Sequence, residues 1–309
     1  MKKSIFSAAL ILAIMLSVIG NIFAATNTDW ESEMDVVGVA VVNGTYYDTL
    51  QEAVNKADGN IVTLLKDSAE AIDIDGELHL ELNGFSATNV SATKIYAYDA
   101  SATTTAAGTG KLVTTSLVEK FSANQNVRYI ALQDEEGTYT FHTFALRITK
   151  ISLRTTKAGI YYKAVATCDP VLQAAIDSYG VALSLNSMPG ADFATASGVS
   201  YTGISGAPTS GETFTSGSVF GIFKDGRGDN AARGESKIYA NAYLRLADGT
   251  VLMANDREDA IGWSMKDVLT VLNENFAQLE ATEQMQVKNF CTTWKDATEK
   301  WNLNIIAAA

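Results

Sequence analysis

Histidine and cysteine are almost missing from this sequence, with two of each among 309 residues. Zinc centres need three or four close ligands. His79, His142, Cys168 and Cys291 show no ligand spacing, which excludes a zinc enzyme. Nucleophilic catalysis needs a base held beside a serine or cysteine, and there is no G-x-S-x-G elbow. His142 lies in the alternating run YTFHTFALRI, on the face of Phe144 and Leu146, and reads as a partly buried strand residue rather than a base. No catalytic residue and no cofactor is expected. Basic residues are scarce as well, 23 against 35 acidic, for a net charge of −12. Such a surface repels phosphate backbones, and no basic cluster stands out locally, so a nucleic-acid partner is excluded. Only three prolines occur, and no proline-rich linker marks a domain border.

What is present begins with an export signal. Lys2 and Lys3 precede an apolar run from Ile5 to Ile19, and Ile22-Phe23-Ala24 forms a cleavage site. Residues 1–24 therefore read as a signal peptide, and the run is short for a membrane-spanning helix, which takes about 20 residues. No cysteine follows it to carry a lipid, and there is no L-P-x-T-G signal. The expected location is secreted or cell-surface, with no membrane span after cleavage. Loss of Lys2 and Lys3 leaves 21 basic and 35 acidic residues, a net −14 that favours solubility. In an exported chain two cysteines allow one disulfide, Cys168 to Cys291. Burial of both as small hydrophobes is the other reading.

Residues 35–117 alternate short strands and corners. In TYYDTLQEAVNKADG, Leu50, Ala53, Val54 and Ala57 recur at helical spacing between a Thr49 cap and a Gly59 stop. The run AIDIDGELHLELNG sets Ile72, Ile74, Leu78, Leu80 and Leu82 on one side and Asp73, Asp75, Glu77, His79, Glu81 and Asn83 on the other, with Asp75-Gly76 as a corner. KIYAYDA and KLVTT read as further rungs around the loop SATTTAAGTG. One apolar and one wet face on short strands fits a short right-handed β-helix; an antiparallel meander is the alternative.

The stretch AVVNGTYYDTLQEAVNKADGNIVTLLKD, with LHLELNGFS after it, resembles the opening of many bacterial secreted and surface proteins. These share V-N-G, T-L-x-E-A-V, V-T-L-L-K-D and L-N-G. The resemblance implies a β-helix exposed outside the cell, and it assigns no activity. AGIYYKAVATCDPVLQAAIDSYGVALSLNSMPGADF resembles a module that follows such segments, likewise without an assigned role.

Residues 118–255 read as an immunoglobulin-like β-sandwich, with hairpins at Glu136-Gly137 and at Leu246 to Thr250 and a short helix from Asp169-Pro170 to Gly180. Residues 256–309 read as a helical hairpin, capped at Ser264 with Asp267 and reopened at Thr282. The fold class is thus mainly β. Three groups of site candidates remain. Asp73, Asp75 and Glu77 could gather calcium, which takes six to eight oxygens. The long Gly/Ser/Thr-rich stretch 186–217 would contact a ligand through Asp192, Phe193 and Tyr201. The tripeptide Arg227-Gly228-Asp229 fits an adhesion signal, although a polar turn explains every residue around it. The expected role is non-enzymatic interaction with an extracellular glycan or an envelope protein. A carbohydrate-active lyase or hydrolase is the alternative, with Lys66 and Lys94 the bases nearest to the acidic strand.

Overall fold

The computed structural model describes residues 38–120, 128–209, 213–224, 228–254 and 261–303. The signal peptide and Arg227 lie outside them. From Gly38 onward the chain forms one compact unit, built mainly of β-strands with short helices.

A period of two in side-chain burial turns residues 62–120 into a winding coil. Strands β3 (Val62–Leu64), β4 (Ile72–Glu81), β6 (Val90–Tyr98) and β8 (Val118–Lys120) pair in parallel. The pairing is not that of a meander. Between them the chain crosses to a second sheet through β5 (Ser86–Ala87) and β7 (Lys111–Val113), also parallel. Strands β1 (Ala40–Val42) and β2 (Thr45–Tyr47) close the first sheet antiparallel. Helix α1 (Leu50–Ala57) covers it, capped by Thr49 as expected and ended by Asp58 in the left-handed region. Leu50, Leu64, Ile72, Leu80, Leu82 and Ile95 fill the interior. Asp75-Gly76 is not a corner: β4 runs through it, and the ladder to β6 shifts register between Ile74 and Glu77.

The second sheet continues without a break across the border expected at residue 117. Strand β10 (Thr138–Arg154) pairs with β9 (Arg128–Gln133), β7 and β11 (Gly159–Cys168), and β11 pairs with β14 (Thr213–Gly221). A third, antiparallel sheet holds β13 (Ser200–Ser205), β12 (Ile176–Ser184), β15 (Ile238–Leu246), β16 (Val251–Met253) and β17 (Ile261–Trp263). Both sheets feed one core, in which Phe144, Ile160 and Tyr162 meet Val181, Ala242 and Leu244.

Two expectations change here. Helix α2 (Pro170–Ala174) is capped by Asp169 but stops six residues before Gly180, which lies inside β12. There Gly180 faces Gly203 so closely that a Cβ on either would strike backbone, so strand pairing overrides the helical reading. The supposed loop 186–217 contains β13 and the start of β14.

Helix α3 (Asn230–Glu235) precedes β15, and α4 (Met265–Glu274) begins with the expected capping box of Ser264 and Asp267. Helix α5 (Ala281–Thr293) begins at a Glu280–Glu283 box rather than at Thr282. Helix α4 lies on β10 and β11, and α5 meets the turn Thr155–Lys157, so each packs on the sheet. Phe290, Trp294 and Trp301 gather around Phe223 as core rather than as a docking surface. Gly234 lies under the Trp301 ring, where a Cβ would overlap it. Gly234→Ala should therefore cost about 1–3 kcal/mol by overpacking. A thermal midpoint equal to that of the parent protein would show that the ring yields.

Cys168 and Cys291 are free, buried thiols, not a bridge. Burial, and for Cys168 the neighbouring Asp169 as well, raises them to about 12 and about 11, so neither is reactive near neutral pH.

Candidate functional site

The chain from Gly137 to Cys168 contains no acidic residue, yet it carries Arg147, Lys150, Arg154, Lys157 and Lys163. No local cluster of basic residues stands out along the sequence; the fold makes one. Along β10 the inward residues Phe144, Leu146 and Ile148 are followed by Ile151 and Leu153, because the register slips by one residue between Ile148 and Lys150. A bulge of this kind lets one strand change parity without leaving its sheet. Without it Lys150 would point at the core. With it, Arg147, Lys150, Ser152 and Arg154 share the outer face with Tyr161, Lys163 and Val165 of β11, their register partners or near neighbours.

Lys150 stands directly opposite Lys163. Like charges so placed destabilise a sheet, and no described ion pair relieves them, nor Arg147, Arg154 or Lys157. The Arg154 guanidinium lies 4.2 Å from the Tyr161 ring centroid. That ring rests on Gly217 of β14, where any side chain would overlap it. Stacking between cation and ring fixes the guanidinium on the sheet; its donors have no hydrogen-bond partner among the described residues and suit a planar anion. The row from Arg147 to Arg154 is about 20 Å long at strand rise. It suits a repeating anion better than a small one.

The calcium candidates do not assemble. Asp73, Asp75 and Glu77 are exposed, Glu77 faces Lys94 across the ladder, and the shift after Ile74 breaks their alignment. Among the described residues no three His, Cys, Asp or Glu could hold a metal. Further along the same strand, Glu81 is buried, not solvated. Its Oε1 accepts from the Asn83 and Ala100 amides at 2.6 and 2.7 Å. Burial raises its carboxyl to about 7, against the pull of those two amides and with help from the Asp99 charge. Asp99, fully buried, accepts from the amides of Gly84, Ser101 and Gly110 at 2.7, 3.0 and 2.6 Å. Tyr98 and Tyr129, with ring centroids 5.5 Å apart, flank the pair. These carboxylates tie coil corners together: both Asp99 oxygens and Glu81 Oε1 accept from backbone amides, whereas the buried Glu81 Oε2 has no backbone partner.

His142 is buried and paired. Its Nδ1 lies 3.0 Å from Asp169 Oδ2, and Thr140 Oγ1 lies 3.2 Å from Nε2. Burial alone would raise the Asp169 carboxyl; hydrogen bonds from His142, Leu172 and Val171 outweigh it and hold it low. The trio looks like a relay, but Asp169 is the α2 cap and His142 is 2% exposed, so it locks β10 to that helix.

Of the other candidates, Phe193, Tyr201 and Asp229 are held by contacts within the fold. Phe193 is fully buried in a small cluster with Ala182, Tyr243 and Met253. Tyr201 donates to the Phe193 carbonyl at 2.6 Å and carries Arg245 over its ring. Asp192 alone of that group is exposed. Asp229 accepts from the Ala231 and Ala232 amides as the α3 cap and pairs with Lys300 at 3.2 Å; the Lys300 contact, then the amides, hold its carboxyl low. Asp229 is thus engaged as a cap while its side chain stays exposed.

Comparison of the chain with protein-family models, with curated proteins and with solved structures gave no match in any of the three.

Proposed function

We propose that this is an exported, non-enzymatic interaction protein that binds an anionic glycan of the extracellular matrix or envelope on the outer face of β14, β11 and β10. A short β-helix over residues 35–117, an immunoglobulin-like sandwich over 118–255 and a C-terminal helical segment over 256–309 make its frame, as in the secreted and surface proteins that the sequence resembles. The parallel ladder of β3, β4, β6 and β8 supports the first element, and the antiparallel pairing of β9 to β17 around one core supports the second. The observation that carries the binding reading is the unrelieved Lys150–Lys163 opposition on an acid-free face. A polyanion would neutralise it; no ion pair among the described residues does.

The test is binding to polygalacturonate, with dextran and duplex DNA as controls. Lys150→Glu should weaken binding to polygalacturonate about tenfold while stabilising the fold by about 0.5 kcal/mol, because it turns a repulsive cross-strand pair into an attractive one. Affinity should fall steeply with salt. Equal binding to dextran, tighter binding to DNA, or indifference to the substitution would each defeat the reading. Steady release of reducing ends would favour the carbohydrate-active alternative.

A further inference from the structure

The inner face and free edge of β10 point to a second ligand, which enters an apolar cavity that the glycan does not use and meets the same cation row from the strand edge. Strand β9 pairs with β10 only as far as Phe144, and β11 occupies the opposite edge. From Ala145 to Arg154 the β9-side edge has no strand partner among the described residues. Beside it lies a cavity of about 300 Å³ lined by Ile148, Ile151 and Leu153 of β10, Trp263 of β17 and Val268 and Val271 of α4. Burial along the inner face drops sharply there. Ile160, Tyr162 and Ala164 of β11 are at most 6% exposed, whereas their β10 partners are only half-buried. Val271 and Ile261 at the rim are 43% and 36% exposed. Among the described residues the inner layer ends one strand short.

We propose that this edge takes up an extended peptide from a partner protein, in which apolar side chains alternate with carboxylates. An added strand would complete the backbone hydrogen bonds of residues 145–154, and alternate side chains would face opposite ways. One set would enter the apolar cavity. The other would emerge beside Arg147, Lys150 and Arg154, which makes acidic residues the complement. The same three cations oppose pairing between two copies of this edge. Basic intervening residues would be repelled, so the site selects on charge as well as on pattern.

One stretch of this sequence has that alternation and supplies a probe: Asp29, Glu31, Glu33 and Asp35 interleave with Trp30, Met34 and Val36. A fluorescein-labelled synthetic peptide of residues 28–37 should bind the purified protein saturably, with a dissociation constant of about 10–100 μM. A version with lysine at its four acidic positions should bind at least about tenfold more weakly. Val271→Arg should abolish peptide binding yet leave polygalacturonate binding unchanged, which separates this inference from the glycan reading. Matching circular dichroism spectra would confirm that the variant is folded. Three outcomes overturn the proposal: no saturable binding, binding indifferent to Val271→Arg, or self-association that the variant removes without any peptide binding. The last would mean that a second copy covers the groove.

Discussion

Asp99→Ala is expected to cost about 3–5 kcal/mol, a large share of the 5–15 kcal/mol that holds a domain together. The carboxylate is fully buried, and its two oxygens receive the amides of Gly84, Ser101 and Gly110. Alanine would strand three donors away from water, and an unpaired buried donor costs about 1–3 kcal/mol. The loop 108–110 wraps the carboxylate so tightly that a Cβ at Gly108 or Gly110 would lie 2.5 or 2.7 Å from Oδ2, so collapse into the gap would need the whole corner to move. Asp99→Asn separates the charge and hydrogen-bond effects from volume. It keeps an acceptor for Gly84 and Ser101 but turns a donor toward Gly110. Its loss should fall between those of the parent and the alanine variant. Urea unfolding gives all three values. An alanine variant within about 1 kcal/mol of the parent would mean that water satisfies these amides and that the corner is not locked by Asp99.

Glu81→Gln is expected to stabilise the protein above neutral pH and to do little in mild acid. The sign follows from the direction of the shift. Unfolded, the carboxyl titrates near 4.5; folded, it titrates at about 7. Below 4.5 both states hold the proton and the group is neutral to stability. As pH rises from 4.5 to 7 the unfolded state ionises first, so stability falls, and the full penalty persists above 7. The ceiling for that shift is about 3 kcal/mol at 1.36 kcal/mol per pKa unit. Glutamine keeps an oxygen for the Asn83 and Ala100 amides and has nothing to ionise. Urea midpoints measured near pH 5 and near pH 8 should therefore converge in the variant relative to the parent, by roughly 1–3 kcal/mol. Asp169 does not confuse the window. Its carboxyl is held below its ordinary 3.8, so the stability it contributes is lost only in stronger acid. Identical pH profiles for variant and parent would place the Glu81 charge in water after all.

Local signals in the sequence located local features well. Thr49, Asp169 and Ser264 each cap the helix they precede. Gly249, at φ 90°, ends the turn closed by the Leu246 amide on the Thr250 carbonyl at 2.8 Å. Such features lie within a few residues of chain, where side-chain chemistry acts on adjacent backbone. The alternation from Ile72 to Leu82 fixed which side chains face the core up to Leu80, but it put Glu81 on the wet face. Glu81 is drawn inward by the amide of Ala100, 19 residues later, and no local pattern carries that information. The first legible trace of the basic face was a run from residue 137 to 168 with five cations and no acid. The parity change from Ile148 to Ile151 was its second trace.

Composition and periodicity by themselves therefore determined a mainly β chain with its turns, its caps and most of its buried set, and left no ligand spacing for a zinc centre. Only the tertiary structure decided that the early strands run parallel, that Asp99 joins its own corner to those of Gly84 and Gly110, that Lys150 confronts Lys163, and that among the described residues β10 ends with one edge open. The division has a physical basis. Propensity and capping act over a few residues, whereas pairing, burial and charge opposition depend on which distant segments come within a few ångströms of each other.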